Sequence, residues 1–346
     1  MAYTTIDKSD EYFNTVTYTA SGPGQSVTGV NFQPDLVWLK RRSAIGNHYL
    51  VDSVRGVQKS IFSNDTAAES SDNYVTSFNS DGFSLGADNY TSPSTLVGWN
   101  WLAGGTAVSN TDGSITSSVS ANTTSGFSIV SYTGNGTAGA TVGHGLGSAP
   151  KVIFVKNRID VCNWMCYHAG IASNAETYYI ELNTTSAAAS YSGAWNNTAP
   201  NSNVFTVGND NNSNGSGNSM IAYCFAEKKG FSKFGSYTGN GSADGTFIYT
   251  GFKPAFMMFK RTDSAVDWTM YDNKRIGYNP NNYKLRPNLS NAEYSTAGFF
   301  EADIVSNGFK IRTSDAEVNT SSGTYIYMAF AENPLVTSGG TPTTAR

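Results

Sequence analysis

Few residues in this chain could do covalent or metal chemistry. Among 346 positions there are three histidines and three cysteines, with 26 acids against 22 Lys and Arg. Glycoside cleavage needs two carboxylates placed across a sugar, and β-sandwich glucanases carry theirs on one strand as Glu-x-Asp-x-x-Glu. The nearest match, Glu301-Ala302-Asp303-Ile304-Val305-Ser306, lacks the last acid and reads as solvated strand-end carboxylates. A Ser/His/Asp mechanism would have to use His48, His144 or His168, and no Gly-x-Ser-x-Gly elbow frames a serine. Period-two alternation puts Cys162, Trp164, Cys166 and His168 on one strand face. Zinc ligands usually sit in tight turns, so these read as core residues. The loop Gly208 to Gly217 offers oxygen ligands for Ca²⁺ but holds one carboxylate, Asp210, and reads as a polar turn. Gly134-Asn135-Gly136 and Gly143 to Gly147 lack the Lys-Ser/Thr of a phosphate loop. The expectation is a protein without catalytic residues, metal or cofactor, and so not an enzyme.

The elements that carry these residues repeat. Ser131-Tyr132-Thr133-Gly134-Asn135-Gly136 recurs as Ser236-Tyr237-Thr238-Gly239-Asn240-Gly241, with Gly126-Phe127-Ser128 and Gly230-Phe231-Ser232 ahead of them. A divergent first copy begins at Tyr18-Thr19-Ala20. In all three copies a lysine follows a proline by six positions: Pro34 and Lys40, Pro150 and Lys156, Pro254 and Lys260. Each copy closes on an apolar run, Leu96 to Trp101, Met220 to Ala226 and Tyr325 to Ala331. Short alternating runs broken by Asn-Gly and Asp-Gly turns predict antiparallel strands, and no stretch shows a helical period of useful length. The fold class expected is all-β, as three tandem antiparallel β-sandwich repeats of jelly-roll or concanavalin-like type. The boundaries fall at 1–105, a Gly/Ser/Thr-rich linker at 106–125, 126–229, 230–335, and a small polar tail at 336–346. Units this long can each own a core, which predicts separate beads with a loose first joint.

Composition narrows the partners. Abundant Gly, Tyr and Phe with 14% charged residues suits strands and turns. A formal charge of −4 argues against nucleic acid, whose non-specific affinity comes from clustered Lys and Arg. Residues Met1 to Lys8 lack the basic and apolar regions of a secretory signal, so export by that route is not expected. No run approaches the roughly 18 apolar residues of a membrane span. The odd cysteines, Cys162, Cys166 and Cys224, read as free thiols. Exposed aromatics can stack sugar rings, and Tyr191 and Trp195, in a loop-like stretch, are the candidate glycan contacts. The basic strand ends Arg41, Arg42, Arg158 and Arg261 are candidate contacts to a neighbouring subunit.

Ser-Tyr-Thr-Gly-Asn-Gly at 131–136, His-Gly-Leu-Gly-x-x-Pro at 144–150, an apolar strand ending in Lys156-Asn157-Arg158, and Trp164-x-x-Tyr167 resemble the repeat modules of virion proteins from marine and cyanobacterial tailed phages. The resemblance covers residues 10 to 335 and is weakest in the first copy. It implies a virion location, a concanavalin-like or jelly-roll sandwich and other virion proteins as partners, and supplies no catalytic residues. The leading expectation is a tail fibre or appendage component that binds host-surface glycan. A homo-oligomer is expected, since symmetric assembly is the general rule, and the resemblance to phage appendages implies a trimer. A head decoration protein is the alternative within the class, and a polysaccharide depolymerase the alternative outside it.

Overall fold

The computed structural model describes residues 3–87, 94–296 and 301–343. The chain is all-β, built from antiparallel sheets, and among the described residues the helices are single turns. The first broad sheet uses β1 (Phe13–Thr19), β2 (Leu36–Arg41), β3 (His48–Asp52) and β4 (Thr95–Trp101), in the order β1-β4-β2-β3. The second uses β5 (Phe127–Thr133), β6 (Val152–Asn157), β7 (Met165–His168) and β8 (Ser219–Phe225), in the order β5-β8-β6-β7. The third uses β9 (Ser232–Thr238), β10 (Phe252–Arg261), β11 (Thr269–Asp272) and β12 (Thr324–Pro334), in the order β9-β12-β10-β11. The registers correspond, since Leu36 faces Asp52, Val152 faces His168 and Phe256 faces Asp272. Small sheets of two or three strands accompany them, such as Ser26–Thr28 with Gly82–Leu85 and Val75–Asn79.

These strands read as continuous apolar runs because both faces of each broad sheet are buried. In β6, Val152 and Phe154 point into one hydrophobic cluster while Ile153 and Val155 point into another. Alternation places successive side chains on opposite faces, so a single strand serves two cores. The outer clusters are local. Val37, Leu39 and Phe83 lie in that of the first sheet, Val142 and Phe205 in the second, and Phe259 and Phe309 in the third.

The inner cluster is common to all three sheets and corrects the expectation of separate beads. Phe13 and Trp101 from the first sheet meet Phe127 and Phe225 from the second and Phe256 and Phe330 from the third. The Phe330 ring lies 5.1 Å from Phe13, 5.9 Å from Phe225 and 5.7 Å from Trp101. Offset and edge-on aromatic pairs at such spacing add about 0.5–1.5 kcal/mol each to the burial itself. A face this rich in Phe and Trp could not stand in water, so no sheet is complete without the other two.

The expected linker at 106–125 is also corrected. Residues Val108–Asn110 and Ser117–Asn122 form strands, and the latter pairs with β5 from Ser117–Tyr132 to Asn122–Phe127, widening the second sheet. Buried Ser117 and Val119 flank exposed Ser118, the period of a strand, while the small polar residues mimic a linker composition. The recurrent Tyr-Thr-Gly-Asn-Gly turn has a packing cause. A Cβ on Gly134 would stand 2.3 Å from the Gly215 carbonyl oxygen, and one on Gly239 2.3 Å from that of Thr320. Buried Asn214 accepts from the Asn135 amide and donates to the Gly208 and Thr137 carbonyls. Asn319 repeats this with Asn240, Thr313 and Ser242.

A shared core predicts one cooperative unfolding transition in calorimetry rather than two or three resolved ones. Phe330→Ala should lower the stability of the whole chain by about 3–5 kcal/mol, the usual cost of truncating a buried Phe. Separate transitions, with only the last one moved by Phe330→Ala, would contradict the shared core.

Candidate functional site

The most regular polar constellation is built on the lysine six residues after each proline. Lys40, Lys156 and Lys260 are fully buried at the ends of β2, β6 and β10. Each ammonium donates once to its own hairpin and once to a neighbouring part of the chain. Lys156 Nζ reaches Cys162 O at 2.6 Å and Thr66 O at 2.9 Å. Lys40 reaches Gly46 O at 2.8 Å and Ser290 O at 3.0 Å, and Lys260 reaches Val266 O at 2.8 Å and Thr185 O at 3.0 Å. The second sheet's lysine thus holds the first region, the first holds the third, and the third holds the second. Backbone bonds repeat the cycle: the amides of Glu69, Glu293 and Ala188 donate to Arg158, Arg42 and Thr262 at 2.9, 2.8 and 2.9 Å.

Two of these junctions carry the same buried charge cluster. At the first, Glu69 takes a two-pronged contact from Arg158 at 2.8 and 2.9 Å and faces Arg55, which pairs with Asp52 at 2.5 Å. Tyr223 OH donates to that Asp52 carboxylate at 2.7 Å. At the second, Glu293 takes both Arg42 and Arg275, Arg275 pairs with Asp272 at 2.5 Å, and Trp99 Nε1 donates to Asp272 at 3.0 Å. Burial raises the Glu69 carboxyl, but the Arg158 hydrogen bond and the Arg55 and Arg158 charges bring it below the usual value. At the third junction, His168 and Ile171 stand where the others have Asp and Arg. Ala188 replaces the glutamate and Met328 the tyrosine or tryptophan. His168 Nε2 contacts the Tyr327 carbonyl at 3.0 Å, and burial holds its pKa down to about 4. The recess beside it is lined by Phe154, Cys166, Met258 and Met328.

The predicted site residues do not converge. Trp195 is corrected: it is 1% exposed, ends a helical turn of four residues (Ser192–Trp195), and packs edge-on against Tyr167, so no sugar can reach its face. Tyr191 is 42% exposed beside it. Arg42 and Arg158 are corrected as well, since their partners Glu293 and Glu69 lie in the same chain. Arg261 pairs with its neighbour Asp263 at 2.7 Å and meets Thr320 Oγ1. Arg41 is half-buried. The Glu69 and Glu293 acceptors were missed in sequence reading, because their spacing from the repeat landmarks is irregular. The Asp52–Arg55 and Asp272–Arg275 spacing was the available signal.

The remaining candidates are structural. Cys162 precedes β7 rather than lying on it, and Cys166 and Cys224 point into different cores. Asp210 accepts from the Asn212 amide at the start of the turn Asn211–Asn214. Asp303 lies 3.4 Å from Arg312 on the strand Ala302–Val305. Among the described residues no three His, Cys, Asp or Glu side chains group as metal ligands. No helix among them is long and apolar enough to cross a membrane.

The family model described as Domain of unknown function (DUF7483) matches residues 8–334. The chain belongs to this family. The DUF7483 match runs from before β1 to the end of β12, so it takes in all three broad sheets and the closed set of junctions as one module. No curated protein and no solved structure matches the chain significantly.

Burial lowers the lysine pKa values to about 7 for Lys40, with Arg41 adding repulsion, and to about 8 for Lys156 and Lys260, where nearby acids or a thiol partly offset burial. Between these values and the ordinary lysine pKa, about 10.4, the unfolded chain binds more protons than the folded one, so stability rises with pH across that window. Thermal unfolding from pH 7 to 9.5 should show a rising midpoint, and Lys156→Met should flatten the rise. The same substitution leaves the Thr66 and Cys162 carbonyls without their donor, at about 1–3 kcal/mol each. A midpoint that falls over this range would contradict the assignment.

Proposed function

We propose that the protein is a non-enzymatic structural component of a tailed-phage virion, made as three tandem β-sandwich repeats of jelly-roll type closed around one core. Within the virion we place it on a tail fibre or appendage, where it binds host-surface glycan. The observation that carries the reading is the cycle of buried lysines. The lysine that recurs in every copy holds the copies to one another. Function special to one copy then belongs to the loops that differ.

The shared aromatic core supports a compact cap on an appendage rather than beads along a stalk. The same compactness favours head decoration as the second reading. Asp7 accepts from Ser338 at 2.6 Å, so the segments near the two described ends of the chain lie side by side. A depolymerase is a weaker third reading, because its candidate acids Glu301 and Asp303 have no counterpart in the other copies.

Mass spectrometry of gradient-purified particles should find the protein at fixed stoichiometry, and cryo-EM of the native virion should place it on the tail at appendage copy number. Density on the capsid lattice would favour the decoration reading. Absence from purified particles would overturn both. Polysaccharide breakdown by the wild-type chain that is abolished by Glu301→Ala or Asp303→Ala would establish the depolymerase instead.

A further inference from the structure

Eight positions after each recurrent lysine stands a ring that reaches across a junction. Trp164 Nε1 donates to the Phe62 carbonyl at 2.8 Å and Trp268 Nε1 to that of Glu181 at 2.9 Å. Each acceptor lies four residues before the carbonyl that takes the lysine, Thr66 or Thr185. In the first copy the ring is His48. Its Nδ1 accepts from Trp38 Nε1 at 3.0 Å, which puts its proton on Nε2. That Nε2 faces the corresponding carbonyl of the third copy, Arg286, without closing to a full hydrogen bond. The second histidine at a junction is His168. Its Nδ1 accepts from the Gly170 amide at 3.0 Å, and its Nε2 donates to Tyr327 O, again in the third copy, at 3.0 Å.

The third copy is therefore held on both sides against a neutral imidazole. At the joint between the first and second copies, Trp164 and Asp52 occupy the matching positions. His144, the remaining histidine, contacts Asn201 and Leu146 inside the second copy.

Both junction rings are sealed, with His48 0% and His168 4% exposed. A second proton would have to enter at Nδ1, where it meets the Trp38 or Gly170 N–H and turns an acceptor into another donor. The surroundings of His48 oppose the added charge. Lys40 is its partner on β2, Arg275 and Arg286 come from the third copy, and the Asp272 carboxylate beyond Trp99 is already paired with Arg275. Tyr49, on its own strand, points into the outer cluster. Around His168 stand Cys166 and Tyr167 of its own strand and Tyr327 of β12, and Glu227, which acts on Tyr327, is committed to Lys233 on β9. Burial holds His168 down to about 4 and His48 well below the ordinary histidine value, about 6.5. Between those values an opened form binds more protons than the closed one, so closure weakens as pH falls from 6.5 toward 4. Each ring is backed by its own sheet. Water reaches a charged imidazole where the third copy moves away.

We propose that the third unit is an acid-releasable segment of the ring: protons on His48 and His168 open both of its joints and bare the Phe256 and Phe330 faces, while the joint between the first and second units stays closed.

Hydrogen exchange of the full chain, read by mass spectrometry at pH 6.5 and 4.5 with labelling times scaled for the intrinsic rate, tests it. Peptides spanning 168–171, 286–290 and 324–331 should exchange roughly tenfold faster or more at the lower pH, the shift one such histidine produces over that interval. Peptides spanning 62–69 and 156–166 should keep their neutral rate. Combining His48→Gln with His168→Gln should make the two pH values alike, and His144→Gln should leave the wild-type contrast. Wild type decides by itself where a variant does not fold, because protection lost evenly over all three units, or first at 62–69, overturns the proposal. So does an unchanged contrast in the double variant, or one abolished by His144→Gln.

Discussion

A buried ammonium satisfied by carbonyls from two parts of the chain is the contact on which the rest of this structure depends. An isolated lysine in an apolar interior would cost several kcal/mol. Each of Lys40, Lys156 and Lys260 offsets part of that cost only when a neighbouring region brings a carbonyl to within about 3 Å. Apolar packing alone is non-directional and would let the three sheets slide over one another. The lysines fix where each sheet stops against the next, and the aromatic cluster between them fills whatever space that stop defines.

The charge clusters have a different role from the lysines. Replacing a buried ion pair by packed apolar groups is often neutral or favourable, and the third junction, with Ile171, Ala188 and Met328, is such a replacement in place. Its lysine-to-carbonyl bond is intact, at 3.0 Å from Lys260 to Thr185. The ionic clusters are therefore not needed to hold a junction together; they make two of the three junctions chemically distinct from the last.

Much of this was legible in the residues. The Pro-to-Lys spacing, the closing strands and the Tyr-Thr-Gly-Asn-Gly turns identified recurrent strands correctly, because packing demands of one backbone pattern leave the same residue types behind. What failed was the step from recurrence to separate cores. Phe154 and Ile153 are both apolar, and nothing in their identity tells which faces a local cluster and which a common one. Trp195 misled for a related reason: a Ser, Gly and Asn setting reads as an exposed loop, yet a single helical turn folds the indole inward. The strands at 108–110 and 117–122 read as linker because small polar residues, Ser above all, dominate them, and only the buried Val119 flanked by Ser marks the strand.

The unequal junctions also bear on how three similar units find their places. All three offer the same lysine and the same kind of carbonyl, so by that contact alone any unit could follow any other, within one chain or between two. Glu69 and Glu293 each require an arginine from the adjoining unit, and a unit presenting Thr262 in that position would bury a glutamate with fewer counter-charges. The chain thus writes an order around its ring in a code of two charged joints and one neutral joint. A copy from a second molecule seated in the wrong place would leave a buried glutamate short of an arginine.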